Sequence, residues 1–265
     1  MDGLFVSSIE RKGMIGLNGK TVLVTGGSRG IGEATVRAVA AAGANVLLHY
    51  ARNRKAAEII QNAISPEFCQ LIEADLGEVY AAADLWQAAT SAAPRIDVLV
   101  NNAGIFEAAP IDSAPETWRR AWAHVMQVNL YAPADLCRLA IPHFRTHGGG
   151  KIINIASRAA QRGDAPDQWP YAASKGALVA LTKTIARGYA KDNVLAFAIA
   201  PGFTETDMAY AGLGEAGLKR ILSEIPLGSM ASPTECGALV AFLCSDQVRH
   251  MTGATFDING ASYVR

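Results

Sequence analysis

Seven short apolar runs recur along the chain, and longer Ala-rich segments with helical spacing separate most of them. The runs are rich in Val, Ile and Leu and do not alternate with polar residues, which is typical of strands buried on both faces of a sheet. They cover residues 20–25, 45–50, 68–74, 96–101, 151–156, 194–200 and 254–258. Strands that alternate with crossover helices predict an α/β fold, a doubly wound parallel sheet of about seven strands with helices on both faces.

The composition is consistent with one globular domain. Half of the 265 residues are apolar, and Lys plus Arg equals Asp plus Glu at 24 each, so the basic excess of a nucleic-acid-binding protein is missing. The four cysteines lack Cys-x-x-Cys spacing, and the first 19 residues contain neither a secretory signal nor a membrane-spanning run. We therefore expect a cytoplasmic protein in which a loosely ordered leader, 1–19, precedes a single domain, 20–265.

Capping residues and glycines mark several helix ends. Ser113 and Ser232 each have a Glu three residues later, which is the spacing of an N-terminal capping box. The glycines at 148–150 are expected to end a helix before the fifth strand. Residues 208–230 follow the sixth strand and contain several glycines, so we expect them to form a lid over the substrate.

The sequence TGGSRGIG, residues 25–32, connects the first strand to the first predicted helix. Here Gly26, Gly30 and Gly32 allow a tight turn and close approach of the backbone to a ligand, while the helix N-terminus presents free N–H groups to a pyrophosphate. The Gly-x-x-x-Gly-x-Gly spacing differs from the common dinucleotide motif, and such a turn can contain glycines for conformational reasons alone. The strand before it and the helix after it favour a dinucleotide site.

The end of the second strand indicates which dinucleotide is bound. NAD-binding proteins of this fold place an Asp or Glu here to hold the ribose hydroxyls, whereas residues 49–53 contain Arg52 and no acid. Arg52, together with Arg29 in the glycine turn, supplies guanidinium groups for a 2′-phosphate. We therefore predict NADP(H) in preference to NAD(H); the alternative is that both arginines are solvated surface residues.

Tyr171 and Lys175 lie four residues apart, which places them on one face of a helix expected over residues 171–190. A free tyrosine has a pKa of about 10, and one ammonium at ~4 Å supplies about 4 kcal/mol, enough to lower that pKa by roughly 3 units. The pair can therefore act as an acid and base at neutral pH. The alternative is an ordinary helix with a packed tyrosine and a solvated lysine.

Three other segments end strands at the same edge of the predicted sheet. Ser157 follows the fifth strand, the sequence LVNNAG ends the fourth at Gly104, and Pro201 and Gly202 follow the sixth. In an open parallel sheet, ligands bind at the carboxyl ends of the strands. A hydroxyl at Ser157 can therefore bind a substrate carbonyl that Tyr171 protonates.

Together these motifs resemble the short-chain dehydrogenase/reductase family, from about Lys20 to the C-terminus. The matching motifs, in the order of the family, are TGGSRGIG, NNAG, Asn129 in VNL, Ser157, the segment from Tyr171 to Lys175, and PGFTET. The resemblance implies a single-domain Rossmann fold and reversible hydride transfer between NADPH and a ketone or aldehyde, without a metal. It also implies a homotetramer built on the helices around 115–145 and 171–190.

The resemblance implies roles for individual residues as well. Tyr171 would donate and accept the proton, Lys175 would hold the nicotinamide ribose and lower the tyrosine pKa, Ser157 would orient the carbonyl, and Asn129 would anchor a proton-relaying water. The residues after the third strand would lie beside adenine, and the threonines after the sixth would hold the carboxamide. The implied cofactor-binding residues are Gly26, Ser28, Arg29, Gly30, Ile31, Gly32, Arg52, Asp75, Leu76, Asn102, Ala103, Gly104, Tyr171, Lys175, Pro201, Gly202, Thr204 and Thr206.

Within the family, the segments APGFTETDM and MTGATFDING most resemble bacterial 3-oxoacyl-[acyl-carrier-protein] reductases, which would make an acyl carrier protein a partner. The docking arginines of those enzymes are absent here, although Arg145, His147 and Lys191 lie nearby and can substitute. Small ketones, sugars and acyl thioesters all stay open as substrates.

The segment from Ser157 to Tyr171 is one residue longer than in typical family members. Its Arg158, Asp164 and Trp169 are expected to shape the substrate pocket. Two other functions also stay open: a dehydrogenase that oxidises a secondary alcohol or polyol, and a dinucleotide-binding scaffold or regulator without catalysis. A metal site at His143 and His147 is disfavoured, because this pair lacks the Glu of a zinc-protease helix and suits a helix C-terminus.

Overall fold

The seven apolar runs form the strands of one sheet in the structure, a computed structural model that describes residues 15–210 and 214–265. The strands are β1 Thr21–Val24, β2 Asn45–Tyr50, β3 Cys69–Glu73, β4 Val98–Asn101, β5 Gly150–Ile155, β6 Val194–Pro201 and β7 Thr255–Ile258. Every neighbouring pair is parallel, in the order β3-β2-β1-β4-β5-β6-β7. The predicted doubly wound α/β fold is confirmed.

Helices connect the strands and cover both faces of the sheet. The α-helices of the described residues are α1 Gly30–Ala41, α2 Arg54–Ile64, α3 Ala81–Ala92, α4 Pro115–Met126, α5 Ala132–Thr146, α6 Ala159–Arg162, α7 Trp169–Tyr189, α8 Asp207–Tyr210, α9 Glu215–Ser223 and α10 Pro233–Cys244. A π-helix, Gln127–Tyr131, joins α4 to α5, and two 3-10 helices span Ala190–Asp192 and Asp246–Met251. Within residues 15–210 and 214–265, no helix is long and apolar enough to cross a membrane.

Two buried apolar clusters lie on opposite faces of the sheet. Successive strand side chains point to opposite faces, so in β1 Val22 and Val24 enter one cluster while Leu23 enters the other. The first cluster also contains side chains from α1, α2 and α10, and the second contains side chains from α3, α5 and α7. Burial on both faces explains why the strands read as continuous apolar runs.

The two predicted capping boxes have different outcomes. Ser232 is the N-cap of α10, and its capping box with Glu235 is formed, with the Ser232 backbone N–H donating to the Glu235 carboxylate over 2.7 Å. The prediction for Ser113 was wrong, because the N-cap of α4 is Ala114. Both α4 and α10 begin with a proline, a residue that favours the first helical position. Of the two serines, Ser232 directly precedes its proline, whereas Ser113 does not.

Other boundaries shift by one or two residues. Gly148 and Gly149 have positive φ and follow the end of α5, as expected, but Gly150 already belongs to β5. Strand β5 ends at Ile155, one residue before the end of the predicted run, so Ser157 lies two residues beyond the strand. The tyrosine helix spans Trp169–Tyr189 instead of 171–190.

The predicted leader and lid are described in part. Residues 1–14 of the leader and 211–213 of the lid lie outside the described residues. Within the leader, Leu17 is fully buried, and its N–H donates to the Ala42 carbonyl over 2.8 Å. Within the lid, Ile221, Ile225 and Met230 form a small buried cluster.

Candidate active site

The glycine turn and the loop after β4 are joined by a hydrogen-bond network around Thr25. The Thr25 hydroxyl accepts from the backbone N–H groups of Asn102 and Ala103 over 2.9 and 3.0 Å. In return, the Asn102 amide donates to the carbonyls of Thr25 and Gly26 over 2.8 and 3.0 Å. This network fixes two segments of the predicted cofactor site against each other.

The glycine turn has the shape that a dinucleotide site requires. Gly26 and Gly30 have φ of +63° and +55°, and a Cβ at Gly32 would lie 2.0 Å from the Gly26 carbonyl oxygen. In the described structure the N-cap residue of α1, Arg29, makes no side-chain capping bond, so the first N–H groups of the helix are free for a ligand. A pyrophosphate fits this cradle, because helix N-termini attract anions.

His49 hydrogen-bonds the glycine turn, a role that the sequence analysis did not predict. This buried side chain accepts from the Gly26 N–H through Nδ1 over 3.0 Å, and its Nε2 donates to the Ala74 carbonyl over 2.9 Å. Because Nδ1 acts as the acceptor, the ring is neutral with its proton on Nε2. Burial lowers the pKa of His49, which keeps the ring neutral. The signal in the sequence was a polar residue inside the apolar run 45–50.

Two residues predicted at the adenosine end lie together. The Arg52 guanidinium, at the exposed end of β2, donates to the Asp75 carboxylate over 3.0 Å. The Gly77 N–H and Arg52 hold the pKa of Asp75 below its usual value. Leu76 beside them is buried, whereas Arg29 is exposed in the glycine turn. The ends of β2 and β3 therefore present one cation and one anion to a ligand on this edge.

Ser157, Tyr171 and Lys175 meet at the carboxyl end of β5. The Ser157 hydroxyl lies within reach of the Tyr171 phenol and accepts from the Ala159 N–H over 3.1 Å. The Lys175 Nζ lies 5.7 Å from the centroid of the Tyr171 ring and donates to the Ile155 carbonyl over 2.8 Å. The ring of Phe106, from the loop after β4, packs edge-on against Tyr171 with 5.2 Å between centroids.

The direction of the Tyr171 pKa shift differs from the expectation. Burial raises the pKa of Tyr171 above its usual value, and the hydrogen bond from Ser157 opposes that rise. Burial also lowers the pKa of Lys175 to about 8. The expected lowering by Lys175 fails in this structure because the desolvation of the phenol dominates and the ammonium is bonded to Ile155. At neutral pH the phenol is therefore protonated, as a proton donor must be.

Asn129 connects the loop after β4 to the tyrosine helix. It lies in the π-helix and is fully buried. Its side-chain oxygen accepts from the Ile105 N–H over 2.8 Å, and its nitrogen donates to the Ile105 carbonyl and to the Ser174 hydroxyl over 3.0 and 3.2 Å. Ser174 in turn donates to the Tyr171 carbonyl over 2.7 Å. Both ends of the Asn129 amide thus bind protein groups, and its water-anchoring role stays a prediction.

The segment after β6 reaches across to the glycine turn. A Cβ at Gly202 would lie 2.9 Å from the Asn259 Cα, so the chain passes close to its neighbour here. Thr204 is buried and donates to the Gly202 carbonyl, and a Cβ at Gly30 would lie 3.1 Å from the Thr206 methyl carbon. Thr206 is therefore beside the glycine turn, at the pyrophosphate end of the predicted site.

The two histidines of α5 take part in local contacts. His143 Nε2 accepts from the Ile96 N–H over 3.0 Å, and the His147 ring faces the His143 carbonyl at 2.7 Å. In the part of the chain that the structure describes, no three His, Cys, Asp or Glu side chains form a metal-binding group.

Comparisons with known proteins agree with this geometry. A family model described as enoyl-(acyl carrier protein) reductase matches residues 26–261. The 3-oxoacyl-[acyl-carrier-protein] reductase of Staphylococcus aureus is 33% identical over 247 residues, which cover 92% of this chain and 98% of that protein.

Solved structures are similar over almost the whole chain. A 3-oxoacyl-(acyl-carrier-protein) reductase from Agrobacterium tumefaciens with NADP bound has a TM-score of 0.86 and 32% identity, covering 97% of this chain and 99% of that one. A 3-ketoacyl-(acyl-carrier-protein) reductase from Brucella melitensis complexed with NADH has a TM-score of 0.83 and 29% identity, covering 93% and 99%. On the family model, these relatives and the sheet order, the chain belongs to the short-chain dehydrogenase/reductase family and is a dinucleotide-dependent oxidoreductase.

Proposed function

We propose that this chain uses NADPH to reduce a ketone or aldehyde to the alcohol, with Tyr171 as the proton donor. The observation that carries the proposal is the juxtaposition of Ser157, Tyr171 and Lys175 at the sheet edge that also holds the glycine turn. A protonated phenol and a hydroxyl on one side of a cofactor cradle suit carbonyl reduction.

The residues act on the carbonyl oxygen, while the bound nicotinamide supplies a hydride to the carbonyl carbon. Ser157 and Tyr171 donate hydrogen bonds to that oxygen, and the Tyr171 proton passes to it as the alcohol forms. The Lys175 ammonium stabilises the phenolate left on Tyr171, because an opposite charge nearby favours the ionised form. A proton from solvent then restores the phenol.

Arg52 supports the preference for NADP(H) over NAD(H). It lies at the end of β2, where NAD-binding proteins carry an acid, and its guanidinium can bind a 2′-phosphate in a forked pair of hydrogen bonds. Asp75 is within hydrogen-bonding distance of the same guanidinium, so phosphate binding must share or displace that carboxylate. One similar structure contains NADP and the other contains NADH, so the comparison alone does not select a nucleotide for this chain.

A 3-oxoacyl thioester is a candidate substrate, since the relatives named above are 3-oxoacyl-[acyl-carrier-protein] reductases. Docking of an acyl carrier protein would need exposed cations near β5. Arg145, one of the candidates, already pairs with Asp192 over 2.7 Å, which argues against that partner.

The experiment is a screen for NADPH oxidation with acyl thioesters, diketones and sugar ketones. We expect at least one class to be reduced, and Tyr171→Phe to lower kcat about 10²- to 10⁴-fold, the usual contribution of a general acid. Tyr171→Phe should still bind NADPH like the wild-type chain, which controls for folding. Activity that survives the substitution would refute the role of Tyr171, and NADPH binding without turnover of any class would support a silent scaffold.

A further inference from the structure

Arg158, which directly follows Ser157, is a buried cation without a sufficient partner. Only 7% of its surface is exposed. Burial of a guanidinium is costly unless the charge is paired and its N–H groups are hydrogen-bonded. The charge of Arg158 therefore needs an explanation that the proposed reaction does not give.

The groups around Arg158 compensate it only in part. Its guanidinium carbon lies 4.4 Å from the centroid of the Phe203 ring, a cation–π contact. Its Nη2 lies 3.8 Å from a Glu224 carboxylate oxygen, too far for a hydrogen bond, and that same oxygen accepts from Arg162 at 3.4 Å. The Nη1 atom is buried and has no hydrogen-bond partner among the residues that the structure describes. Asp164, which also faces Arg158, is exposed to solvent.

These contacts locate Arg158 on the substrate side of the site. Ser157 precedes it, Phe203 follows the Pro-Gly turn of β6, and Glu224 follows the lid helix α9. Phe203 also packs against the buried cluster of the lid. The guanidinium therefore packs on Phe203, beside the described part of the predicted lid, and belongs to the residue next to Ser157.

We infer that the substrate is an oxo acid, whose carboxylate binds Arg158 while its ketone faces Ser157 and Tyr171. The inference rests on the proposed carbonyl reduction. One unpaired Nη1 beside an already shared carboxylate matches a single negative charge, because Glu224 repels a phosphate dianion more strongly than a monoanion. Because Nη1 is buried in this structure, binding of the carboxylate requires the side chains that cover it to move.

The experiment compares acetoacetate with methyl acetoacetate, which differ in the carboxylate. The wild-type chain should reduce the acid with the higher kcat/KM. Arg158→Met should lower kcat/KM for the acid about 10- to 100-fold, the strength of hydrogen bonds to a charged group, and leave the ester nearly unchanged. The matched control is Arg162→Met, which removes the other arginine of Glu224 and should preserve the preference for the acid. Binding of NADPH to each variant reports folding.

A second variant keeps the inference falsifiable if Arg158→Met does not fold. Glu224→Gln removes the competing negative charge, so it should raise kcat/KM for acetoacetate and not for its ester. Equal rates for acid and ester in the wild-type chain, or an equal loss for both in Arg158→Met, would overturn the inference and leave carbonyl reduction intact. NADPH binding without reduction of either compound, or of any ketone in the wider screen, would instead overturn the proposed function.

Discussion

Lys175 is a buried ammonium, and its surroundings set the pH range in which reduction can occur. Burial lowers its pKa to about 8, so it loses its charge within the range in which many enzymes are assayed. The Tyr171 phenol has a raised pKa and stays protonated there. In the proposed reaction we therefore expect the ionisation of Lys175, and not that of Tyr171, to be the first to limit the rate as pH rises.

We predict that kcat/KM for carbonyl reduction is level below about pH 8 and falls above it, as Lys175 deprotonates and can no longer stabilise the phenolate. Alcohol oxidation, which needs the phenolate, should not rise over the same interval, because Tyr171 stays protonated and the neutral Lys175 no longer favours its ionisation. The measurement is a profile of both directions from about pH 6 to about pH 10. Lys175→Arg, whose guanidinium stays charged, should move the fall to higher pH. A reductase rate that increases through pH 8 would contradict this assignment.

Under the proposed function, we expect the choice of nucleotide to depend on Arg52. Arg52→Ala should raise the Kd of NADPH roughly tenfold, since it removes charge-assisted hydrogen bonds to the 2′-phosphate, while the Kd of NADH changes little. Titration of both nucleotides by fluorescence measures the effect. The control is Arg54→Ala, because Arg54 pairs with Glu58 at a similar distance of 2.8 Å two residues further along. Equal weakening of both nucleotides by Arg52→Ala would mean that the phosphate is bound elsewhere.

At the scale of elements, His49 ties the glycine turn to the ends of β2 and β3. We predict that His49→Leu, which leaves the half-buried Gly26 N–H and Ala74 carbonyl without their partner, raises the Kd of NADPH roughly tenfold. His49→Asn keeps an oxygen acceptor for Gly26 and should recover much of the affinity. Isothermal titration of each variant with NADPH provides the measurement.

The pH dependence of binding separates this role from simple packing. Protonated His49 would direct an Nδ1–H at the Gly26 N–H, so the affinity of the wild-type chain should fall as pH drops below the ordinary histidine pKa of about 6.5. Burial lowers the pKa of His49 on balance, although the hydrogen bond to Ala74 and the charge of Asp75 oppose the shift, so the fall in affinity should begin below the ordinary value. His49→Asn cannot be protonated and should lose this part of the acid response. An identical acid profile in both proteins would argue against His49.

The sequence predicted elements better than it predicted contacts. Seven apolar runs were sufficient for the sheet, because burial on both faces leaves a continuous pattern. The two predicted serine caps differ in their distance from the proline that begins the helix. Of the two serines, Ser232 directly precedes its proline and is an N-cap, whereas Ser113 lies one residue too early. The sequence placed Arg158 near the substrate pocket but could not show its contacts with Phe203 and Glu224, nor that of His49 with Ala74, because these partners are distant in the chain. The Tyr171 pKa was misjudged because burial is a property of the fold.

At the scale of the whole molecule, we predict a homotetramer, as the family resemblance implies. Light scattering should give about four times the chain mass of 27.9 kDa. Tyr131, between α4 and α5, is 53% exposed and borders an open groove with Trp122 and Met126, so Tyr131→Glu should lower the mass. Ile59→Glu, at an exposed position on α2, is the control. A wild-type mass equal to one chain would refute the assembly.

The π-helix Gln127–Tyr131 fixes the number of residues that the chain needs between α4 and α5. Its Ala132 N–H bonds to the Gln127 carbonyl, so one extra residue is held between α4 and α5. A single-residue deletion here would restore a regular helix that can still fold. It would also withdraw Asn129 from Ile105 and Ser174 and so uncouple the loop carrying Phe106 from the tyrosine helix. Insertions and deletions are usually tolerated in loops, but in this protein we expect this helical segment to tolerate exchange of residue types more readily than any change in their number.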